Sequence, residues 1–504
     1  MNARFLPILL AWVGLASAPA QVGVNLDFLT DWSPAWTFVD GFKHARTWLP
    51  QRTGGTHPWD TGESLDLAAD GNVRSLKPGQ AAAALLFWDL QGHFPAGEYT
   101  CLFDGRGEID FRGAGQIKSK VAGKYVVAVD PSKGGVILRV TQTDPADPVR
   151  NVRFFMPGFE SGKQLFHPSF LQSLQPFRVI RFMNWQRTNS NPSGRWADRT
   201  TPTSLTQRGP QGVSLEAMIA LANTTGADPW FCLPHGADDD YVRNFAALVK
   251  KQLLPSRKIY VEYSNEVWNG IFPQSRYARE EGLRLALSSN PYEAQMRFYS
   301  QRSVEIFRIW EQVFGGRDRL VRVLASQSVN LFTARTILSW KNAAASADAL
   351  AVAPYFGGGL GSSPVSAGLE IADILAACEA DIAAQQRYTR ENAALARSYR
   401  LQLIAYEGGQ HLVGVGAQKE NPELTRKFIA ANEHPRMGDL YRLDLQEWTK
   451  SGGGLMVTYA LTGTYNKHGS WGLLRWQDQH MGTAPKYQAL LTKPDPRAAK
   501  DPPR

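Results

Sequence analysis

Residues 258–266 read Lys258-Ile-Tyr-Val-Glu-Tyr-Ser-Asn-Glu266, a short apolar run that ends in polar side chains. Enrichment in β-branched and aromatic residues over so few positions predicts a buried strand. Helical periodicity flanks the run, in a segment that begins near Tyr241 and in a longer one over residues 292–314. Because parallel strands are joined through crossover helices, this alternation is typical of a parallel α/β sheet or barrel.

Seven further runs share the pattern of this strand. The eight predicted strands cover residues 22–27, 178–183, 229–234, 258–263, 320–325, 349–354, 401–406 and 454–459. Predicted helices between them include residues 215–223, 292–314, 369–398 and 423–450, the last with a break near Pro435. Eight strands interleaved with helices predict a (β/α)₈ TIM barrel, whose core takes about 250 residues. The rival is a doubly wound open sheet, but no Gly-x-Gly-x-x-Gly or P-loop motif follows any strand.

A β-rich segment separates the first predicted barrel strand from the second. Short alternating runs broken by Gly, Pro and Asp predict a β-sandwich-like inserted domain over residues 56–160. The barrel is then expected to comprise residues 21–55 and 161–493, followed by a disordered tail over 494–504. The insert is interpreted either as a carbohydrate-binding module or as a wall of the cleft, and an exposed Trp88 would favour binding.

The first twenty residues predict export. Arg4 precedes an apolar stretch over residues 5–16, and Ala18-Pro-Ala20 supplies an Ala-x-Ala cleavage site for a signal peptide over 1–20. The stretch is shorter than the ~20 apolar residues of a membrane-spanning helix, and no later segment reaches that length. We therefore expect a secreted or periplasmic protein without a membrane span. Its three cysteines allow at most one disulfide, and buried free thiols are the favoured interpretation.

Composition narrows the class of partner. The chain has 504 residues, of which 43% are hydrophobic and 20% charged, so it can bury a large core. Lys and Arg number 55 against 46 Asp and Glu, giving a net charge of +9. No run of five basic residues occurs, so no nucleic-acid patch is predicted, and either an acidic polysaccharide or an ordinary basic surface fits the charge.

Glutamates end two of the predicted strands. Glu266 follows Asn265 at the end of the fourth strand, and Glu407 ends the seventh in Leu403-Ile-Ala-Tyr-Glu-Gly-Gly409. Catalytic groups of a TIM barrel project from the carboxyl ends of strands, so these two carboxylates are expected at one mouth. Glycoside hydrolysis requires such a pair. The alternative is that each glutamate caps a helix or forms an ion pair.

With this pair the sequence resembles the clan A retaining glycoside hydrolases. The matching residues are Asn265-Glu266 after the fourth strand and Glu407 after the seventh. The resemblance implies that Glu266 is the acid/base, that Glu407 is the nucleophile and that Asn265 binds the sugar 2-hydroxyl. It implies no cofactor and a polysaccharide or oligosaccharide substrate, with β-linkages favoured. Val267 replaces the proline that many members have after the pair, so the specific family and the sugar stay open.

Other site candidates follow more weakly from the same resemblance. Arg181 occupies the place of an arginine that steadies the nucleophile, Tyr355 that of a tyrosine bonded to it, and Trp471 that of a tryptophan on which the sugar stacks. The alternatives are an ion pair for Arg181 and core packing for Tyr355. His235 and Trp185 are candidates by their strand-end positions, and a structural role for His235 is equally consistent. Among the other tryptophans, Trp36 and Trp268 are the candidates for sugar contact.

Two other functions stay open at this level. A degenerate barrel would give a non-catalytic polysaccharide-binding protein, although a pure binder does not need a carboxylate pair. A transglycosylase would share the glycosyl-enzyme intermediate. No zinc-ligand, His-Glu-x-x-His or Gly-x-Ser-x-Gly motif occurs. Asp238-Asp-Asp240 is predicted to cap a helix, with calcium binding as the alternative.

Overall fold

A computed structural model describes residues 21–491. The predicted signal peptide, the predicted tail and residues 492–493 lie outside the described residues. Eight parallel strands close into one barrel in chain order, so the predicted fold class is confirmed. The barrel strands are β1 (Val22–Asn25), β2 (Val179–Arg181), β3 (Asp228–Leu233), β4 (Ile259–Tyr263), β5 (Leu320–Ala325), β6 (Ala349–Val352), β7 (Gln402–Ala405) and β8 (Met456–Thr458).

Pairing of the last strand with the first closes the barrel. Met456 is in register with Val22 on one side and with Ala405 of β7 on the other. Strands buried on both faces read as continuous apolar runs, because one face packs on the helices and the other fills the interior. Side chains such as Val179, Trp230 and Val323 form the interior cluster. By the two-residue period of a strand, Arg181 and Glu262 also face inward.

Helices surround the barrel. They are α1 (Pro168–Leu174), α2 (Leu215–Thr225), α3 (Asp239–Gln252), α4 (Pro273–Arg284), α5 (Pro291–Phe314), α6 (Leu331–Ser339), α7 (Gly358–Ser362), α8 (Ile371–Ser398), α9 (Pro422–Glu433), α10 (Pro435–Lys450) and α11 (Pro485–Leu490). Asp238 is the N-cap of α3, where its Oδ1 accepts a hydrogen bond of 2.7 Å from the Tyr241 backbone N–H. The capping interpretation of this acidic run is therefore confirmed.

The insert is a sandwich of two four-stranded antiparallel sheets. One sheet has the order Leu49–Arg52, Gln80–Leu86, Val136–Thr143 and Gly107–Gly113. The other has the order Arg150–Phe155, Gly97–Asp104, Lys124–Val129 and Gly115–Val121. A two-stranded pair in the insert joins Asp66–Leu67 to Val73–Ser75. Another pair, outside the insert, joins Tyr355–Phe356 after β6 to Gly409–Gln410 after β7. The sandwich has a hydrophobic core of its own.

The insert starts earlier than the predicted boundary at residue 56. Leu49–Arg52 pairs with the strand Gln80–Leu86, and so belongs to the sandwich. Pro50 lies in this strand, and proline is tolerated there because the strand is at the edge of its sheet. Because proline within a run argues against a strand, the sequence pattern alone does not predict this one.

Ring stacking, a hydrogen bond between side chains and a backbone hydrogen bond connect the sandwich to the barrel. The His93 ring stacks on Trp476 with centroids 4.3 Å apart, and His93 Nδ1 lies 3.0 Å from Asp478 Oδ1. The Trp88 backbone N–H donates to the Asp31 carbonyl oxygen over 2.7 Å. Since Asp31 lies in the loop after β1, this bond brings one end of the insert to the carboxyl side of the barrel.

Cys101, Cys232 and Cys378 are buried and unpaired, as predicted. No helix within residues 21–491 has both the length and the apolar character needed to cross a membrane.

Candidate active site

The turn after β4 presents Asn265 and Glu266 through an uncommon backbone conformation. Ser264 and Glu266 have φ angles of 59° and 42°, in the left-handed region that residues with a Cβ seldom adopt. The Ser264 N–H donates to the Leu233 carbonyl oxygen over 2.8 Å, which holds the turn against the end of β3. Such conformations cost of order 1–3 kcal/mol each and are concentrated at functional sites.

Arg181 is the centre of the site. It is fully buried, at 0% exposure, at the end of β2. Its Nη1 donates to Glu407 Oε1 over 3.0 Å, and its Nη2 donates to Glu262 Oε2 over 2.9 Å and to Asn265 Oδ1 over 2.8 Å. A buried guanidinium is tolerable when its charge and its donors are matched in this way. One cation thereby links the ends of β2, β4 and β7.

Glu407 is held from two directions. Besides the bond from Arg181, its Oε2 accepts a hydrogen bond of 3.0 Å from the Tyr355 hydroxyl, which follows β6. Burial raises the pKa of Glu407 to about 7, while Arg181 and the Tyr355 hydrogen bond lower it and the charge of Glu266 raises it. Both direct contacts therefore favour the ionised carboxylate.

Glu266 receives bonds from neutral donors. Its Oε1 accepts from the Tyr406 hydroxyl and its Oε2 from Asn269 Nδ2, each over 2.9 Å. Burial raises the pKa of Glu266, although both hydrogen bonds and the more distant charge of Arg181 lower it. Within residues 21–491 no Lys, Arg or His forms an ion pair with this carboxyl group, in contrast to Glu407.

A third buried carboxylate, Glu262, was not predicted as a site residue. Its Oε2 accepts from Arg181, from Trp230 Nε1 over 2.8 Å and from the Cys232 thiol over 3.3 Å. Glu262 therefore shares the charge of Arg181 with Glu407. It lies inside an apolar run that predicts a strand. Only knowledge of which side chains of β4 face the barrel interior would have identified Glu262 as a site residue.

Asparagines complete the polar network. Asn25, at the end of β1, accepts from Arg181 Nη1 over 3.2 Å. Asn265 Nδ2 donates to Asn189 Oδ1 over 3.0 Å. Asn184 Nδ2 donates to the Tyr459 hydroxyl over 2.9 Å. Asn25 and Tyr459 end barrel strands, so the strand-end rule that identified the glutamates would also have found them.

A cleft of about 400 Å³ opens beside Glu266. Trp268, Tyr355 and His411 are among its lining residues. Next to it, Trp471 meets Tyr355, His411 and Tyr459 edge to face, with ring centroids 6.0, 5.1 and 5.8 Å apart. Trp268 and Trp471 are both partly exposed. The structure thus places the predicted Tyr355, Trp268 and Trp471 around the carboxylate pair.

Other aromatic candidates lie elsewhere. Trp185 is 2% exposed and packs between Phe170 and Phe182, so its prediction as a sugar-contacting residue is wrong. The turn after β2 directs this ring into the outer core instead of the mouth. Trp36 is also wrong as a candidate, because it is buried where the insert meets the barrel and donates to the His93 carbonyl oxygen.

His235 belongs to a different environment. Its ring packs on Tyr277, with centroids 5.3 Å apart, and its carbonyl oxygen accepts from the Tyr263 hydroxyl. Burial lowers the pKa of His235. In the part of the chain that the structure describes, no hydrogen bond or ring contact joins it to Glu266 or Glu407, and its placement fits the structural alternative.

Comparison with known proteins yields likeness in structure alone. No family model matches, and no curated protein is similar in sequence. Similar solved structures include a GH51 arabinofuranosidase from Xanthomonas axonopodis pv. citri, at 11% identity and TM-score 0.45, with 65% of each chain covered. A 4-O-α-L-rhamnosyl-β-D-glucuronidase from Fusarium oxysporum 12S matches at 12% identity and TM-score 0.40, over 64% of this chain and 65% of that one.

A third similar structure is a GH128 endo-β-1,3-glucanase from Sorangium cellulosum, at 11% identity and TM-score 0.30, over 65% of this chain and 94% of that one. The chain spans about two thirds of the length of the first two enzymes. All three are carbohydrate-active enzymes. At this level of likeness the function of this chain has to be inferred from the geometry of its own site.

Proposed function

We propose that this chain is a secreted, retaining glycoside hydrolase that cleaves a polysaccharide or oligosaccharide, with β-linkages favoured, by double displacement. Glu407 acts as the nucleophile and Glu266 as the acid/base. One observation carries the proposal. Two carboxylates, the half-buried Glu266 and the buried Glu407, follow β4 and β7, and the cation Arg181 is hydrogen-bonded to Glu407 but not to Glu266.

The asymmetry assigns the roles. Burial raises the pKa of both carboxyl groups, and the charge of Glu266 raises the pKa of Glu407 further, so that the two groups share one proton over the working pH range. However, only Glu407 is bonded to the Arg181 cation, and from this contact we assign the negative charge to Glu407 and the proton to Glu266. An ionised nucleophile beside a protonated acid is the state from which a retaining reaction starts.

Glu407 and Glu266 carry out both steps of the reaction. Glu407 attacks the anomeric carbon and forms a glycosyl ester while the glycosidic C–O bond breaks, and Glu266 gives its proton to the departing oxygen. Water next attacks the anomeric carbon of the glycosyl ester, Glu266 takes a proton from that water, and the bond between the anomeric carbon and the Glu407 oxygen breaks. Net retention of the anomeric configuration follows from two inversions.

The surrounding groups serve these steps. Arg181 and Tyr355 hold the Glu407 carboxylate in one orientation, which keeps its nucleophilic oxygen ready for attack. Asn265 is 2% exposed and bonded to Arg181 and Asn189, and in this proposal the second Nδ2 hydrogen of its amide donates to a sugar hydroxyl. The partly exposed rings of Trp268 and Trp471 suit the apolar face of a sugar.

The test is hydrolysis of aryl β- and α-glycosides and of plant and bacterial polysaccharides by the mature protein. Glu266→Gln and Glu407→Gln are measured beside it, with Glu280→Gln, an exposed position on α4, as the matched control. We expect activity on at least one β-linked substrate that both site variants lose and the control keeps. A protein that retains a polysaccharide without cutting it would instead be a binding protein. Transfer to a second sugar in preference to water would make it a transglycosylase.

A further inference from the structure

A group of three arginines lies beside the barrel mouth, away from the catalytic pair. Arg187 belongs to the turn after β2, Arg208 to the segment between that turn and α2, and Arg46 precedes the insert. The loop after β1 brings two aromatic rings to them, Phe28 and Trp32. We call these five residues the arginine patch.

Guanidinium groups and rings are interleaved in the arginine patch. The guanidinium carbons of Arg46 and Arg208 lie 5.4 and 5.1 Å from the centre of the Trp32 ring. That of Arg187 lies 5.9 Å from the centre of the Phe28 ring. Trp32 is 46% exposed, and such a ring on a loop at the mouth is open to ligand.

The positive charge of the patch is only partly balanced. Asp31 has a buried carboxylate that pairs with Arg46 over 2.8 Å and with Arg208 over 3.2 Å. Arg187 has no ion-pair partner among residues 21–491, and its buried Nε has no hydrogen-bond acceptor there. Three cations thus share one paired anion, and an arginine with unused donors suits an oxyanion ligand.

The other acidic group of this loop is Asp27, next to Phe28. Burial raises the pKa of Asp27 to about 6, and a hydrogen bond from the Phe28 backbone lowers it. Desolvation and the neighbouring charges of Arg46 and Arg187 lower the pKa of Arg208, whereas Asp31 raises it. The three arginines repel one another, and a bound anion would reduce this electrostatic repulsion.

Hydrogen bonds connect the backbone of Arg187 to residues at the ends of β1 and β8. The Arg187 backbone N–H donates to the Asn184 carbonyl oxygen over 3.0 Å, and Asn184 in turn donates to the Tyr459 hydroxyl and to the Leu26 carbonyl oxygen. The 400 Å³ cleft opens from Glu266 toward the loops after β5 and β6. The arginines follow β1 and β2, so a glycan chain that crosses the barrel mouth would reach them on the other side.

We propose that the arginine patch binds the carboxylate of a uronic acid residue, so that the substrate of this site is an acidic polysaccharide. This inference rests on the proposed glycoside hydrolase function. A planar carboxylate accepts two parallel N–H bonds from one guanidinium fork, and Arg187 is the arginine of the patch that pairs with no acidic side chain of residues 21–491, whereas Arg46 and Arg208 pair with Asp31. Trp32 and Phe28 then contact the apolar parts of the sugar.

Binding is measured by affinity gel electrophoresis, with the full chain in a Glu407→Gln background so that the probe is not consumed. The probes are polygalacturonate, alginate and hyaluronan, each beside its carboxyl-reduced form, and dextran sulfate. Arg187→Gln and Arg208→Gln test the patch. Arg279→Gln and Arg308→Gln, two single variants at exposed positions on α4 and α5, each remove the same one charge elsewhere.

We expect at least one uronate polymer to bind roughly tenfold more tightly than its reduced form, because charged hydrogen bonds are stronger than neutral ones. Each patch variant should lose most of that difference, and the two control variants should keep it. Arg187→Gln leaves the Asp31 pairs intact, so it remains informative if Arg208→Gln fails to fold. Equal binding of acidic and reduced polymers, equal losses in patch and control variants, or tighter binding of dextran sulfate would each overturn the proposal.

The result separates the two proposals. Hydrolysis of a neutral glycan with no preference for uronates would leave the hydrolase function standing and remove the arginine patch from it. If the protein binds a uronate polymer through the patch but cuts no glycoside, the arginine patch is supported and the hydrolase function is contradicted.

Discussion

Arg181 Nη1 lies 3.0 Å from Glu407 Oε1, at a point where both side chains are buried. This contact makes the two catalytic candidates chemically different although both are glutamates. Charge-assisted bonds inside a protein are worth more than their surface counterparts, since water does not screen them.

The two tyrosine hydroxyls should control opposite limbs of the pH profile. Tyr355 donates to Glu407 and Tyr406 donates to Glu266, and each bond lowers the pKa of its glutamate. Tyr355→Phe should therefore raise the pKa of Glu407 and move the acid limb of kcat/KM to higher pH. Tyr406→Phe should raise the pKa of Glu266 and move the basic limb to higher pH. Each shift should be about 0.4–1.1 pH units, from the net value of a hydrogen bond.

Each tyrosine variant is the control for the other. A shift of the same limb in both variants, or no shift in either, would contradict the assignment of one glutamate to each limb.

Glu262 should act as a positioning residue. Its negative charge raises the pKa of both Glu266 and Glu407. Glu262→Gln removes that charge and should move both limbs of the pH profile to lower pH. It should also reduce kcat by roughly tenfold because Arg181 loses a charged partner that orients it. Pre-steady-state and steady-state rates across pH would measure both effects.

Glu311→Gln is the matched control for this variant, since Glu311 also pairs with an arginine, Arg322, but on the outside of the barrel. A loss of activity in Glu262→Gln with an unmoved pH profile would indicate a purely structural role.

Stability should depend on pH through Asp444 in α10. Burial raises its pKa from 3.8 to about 8, with a further contribution from the charge of Asp381. Between about pH 4 and 8 the folded state thus binds more protons than the unfolded state, and the free energy of unfolding contributed by this group falls as pH rises. Asp444→Asn should remove that slope and raise the unfolding free energy by roughly 1–3 kcal/mol above pH 8.

Urea unfolding of both proteins at pH 5 and pH 8.5 gives the difference directly. An Asp444→Asn variant that loses equal stability at both pH values would contradict the prediction.

Substitution of Trp268 should affect substrate binding, whereas substitution of Trp185 should affect stability. Trp268→Ala should raise KM about three- to tenfold without changing the melting temperature, because the ring lines the cleft. Trp185→Ala should instead cost about 3–5 kcal/mol of unfolding free energy, because it leaves a cavity in the core. A loss of stability in the first variant, or a selective rise of KM in the second, would contradict this division.

The barrel was predictable because its strands are buried on both faces and so appear as uninterrupted apolar runs. Glu266 and Glu407 were predictable because each ends such a run. The strand Leu49–Arg52 was missed because Pro50 argues against a strand unless it lies at a sheet edge, and edges are set by tertiary pairing.

The rotation of side chains around the barrel was harder to predict. Glu262 lies inside an apolar run, and its inward direction depends on the phase of β4 relative to its neighbours. Trp185 follows β2 closely, but the turn there reverses direction and buries the ring. Partners such as Tyr406 and Asn269 come from positions whose distance to Glu266 only the folded chain defines.

The most direct test of the central claim is to trap the glycosyl-enzyme. The wild-type protein is incubated with the 2-deoxy-2-fluoro glycoside of whichever sugar the substrate panel identifies, carrying a good leaving group, and then digested and sequenced by mass spectrometry. We expect one sugar attached to the carboxyl group of Glu407, and no adduct in Glu407→Gln. An adduct on Glu266, or hydrolysis that inverts the anomeric configuration and leaves no adduct, would contradict this expectation.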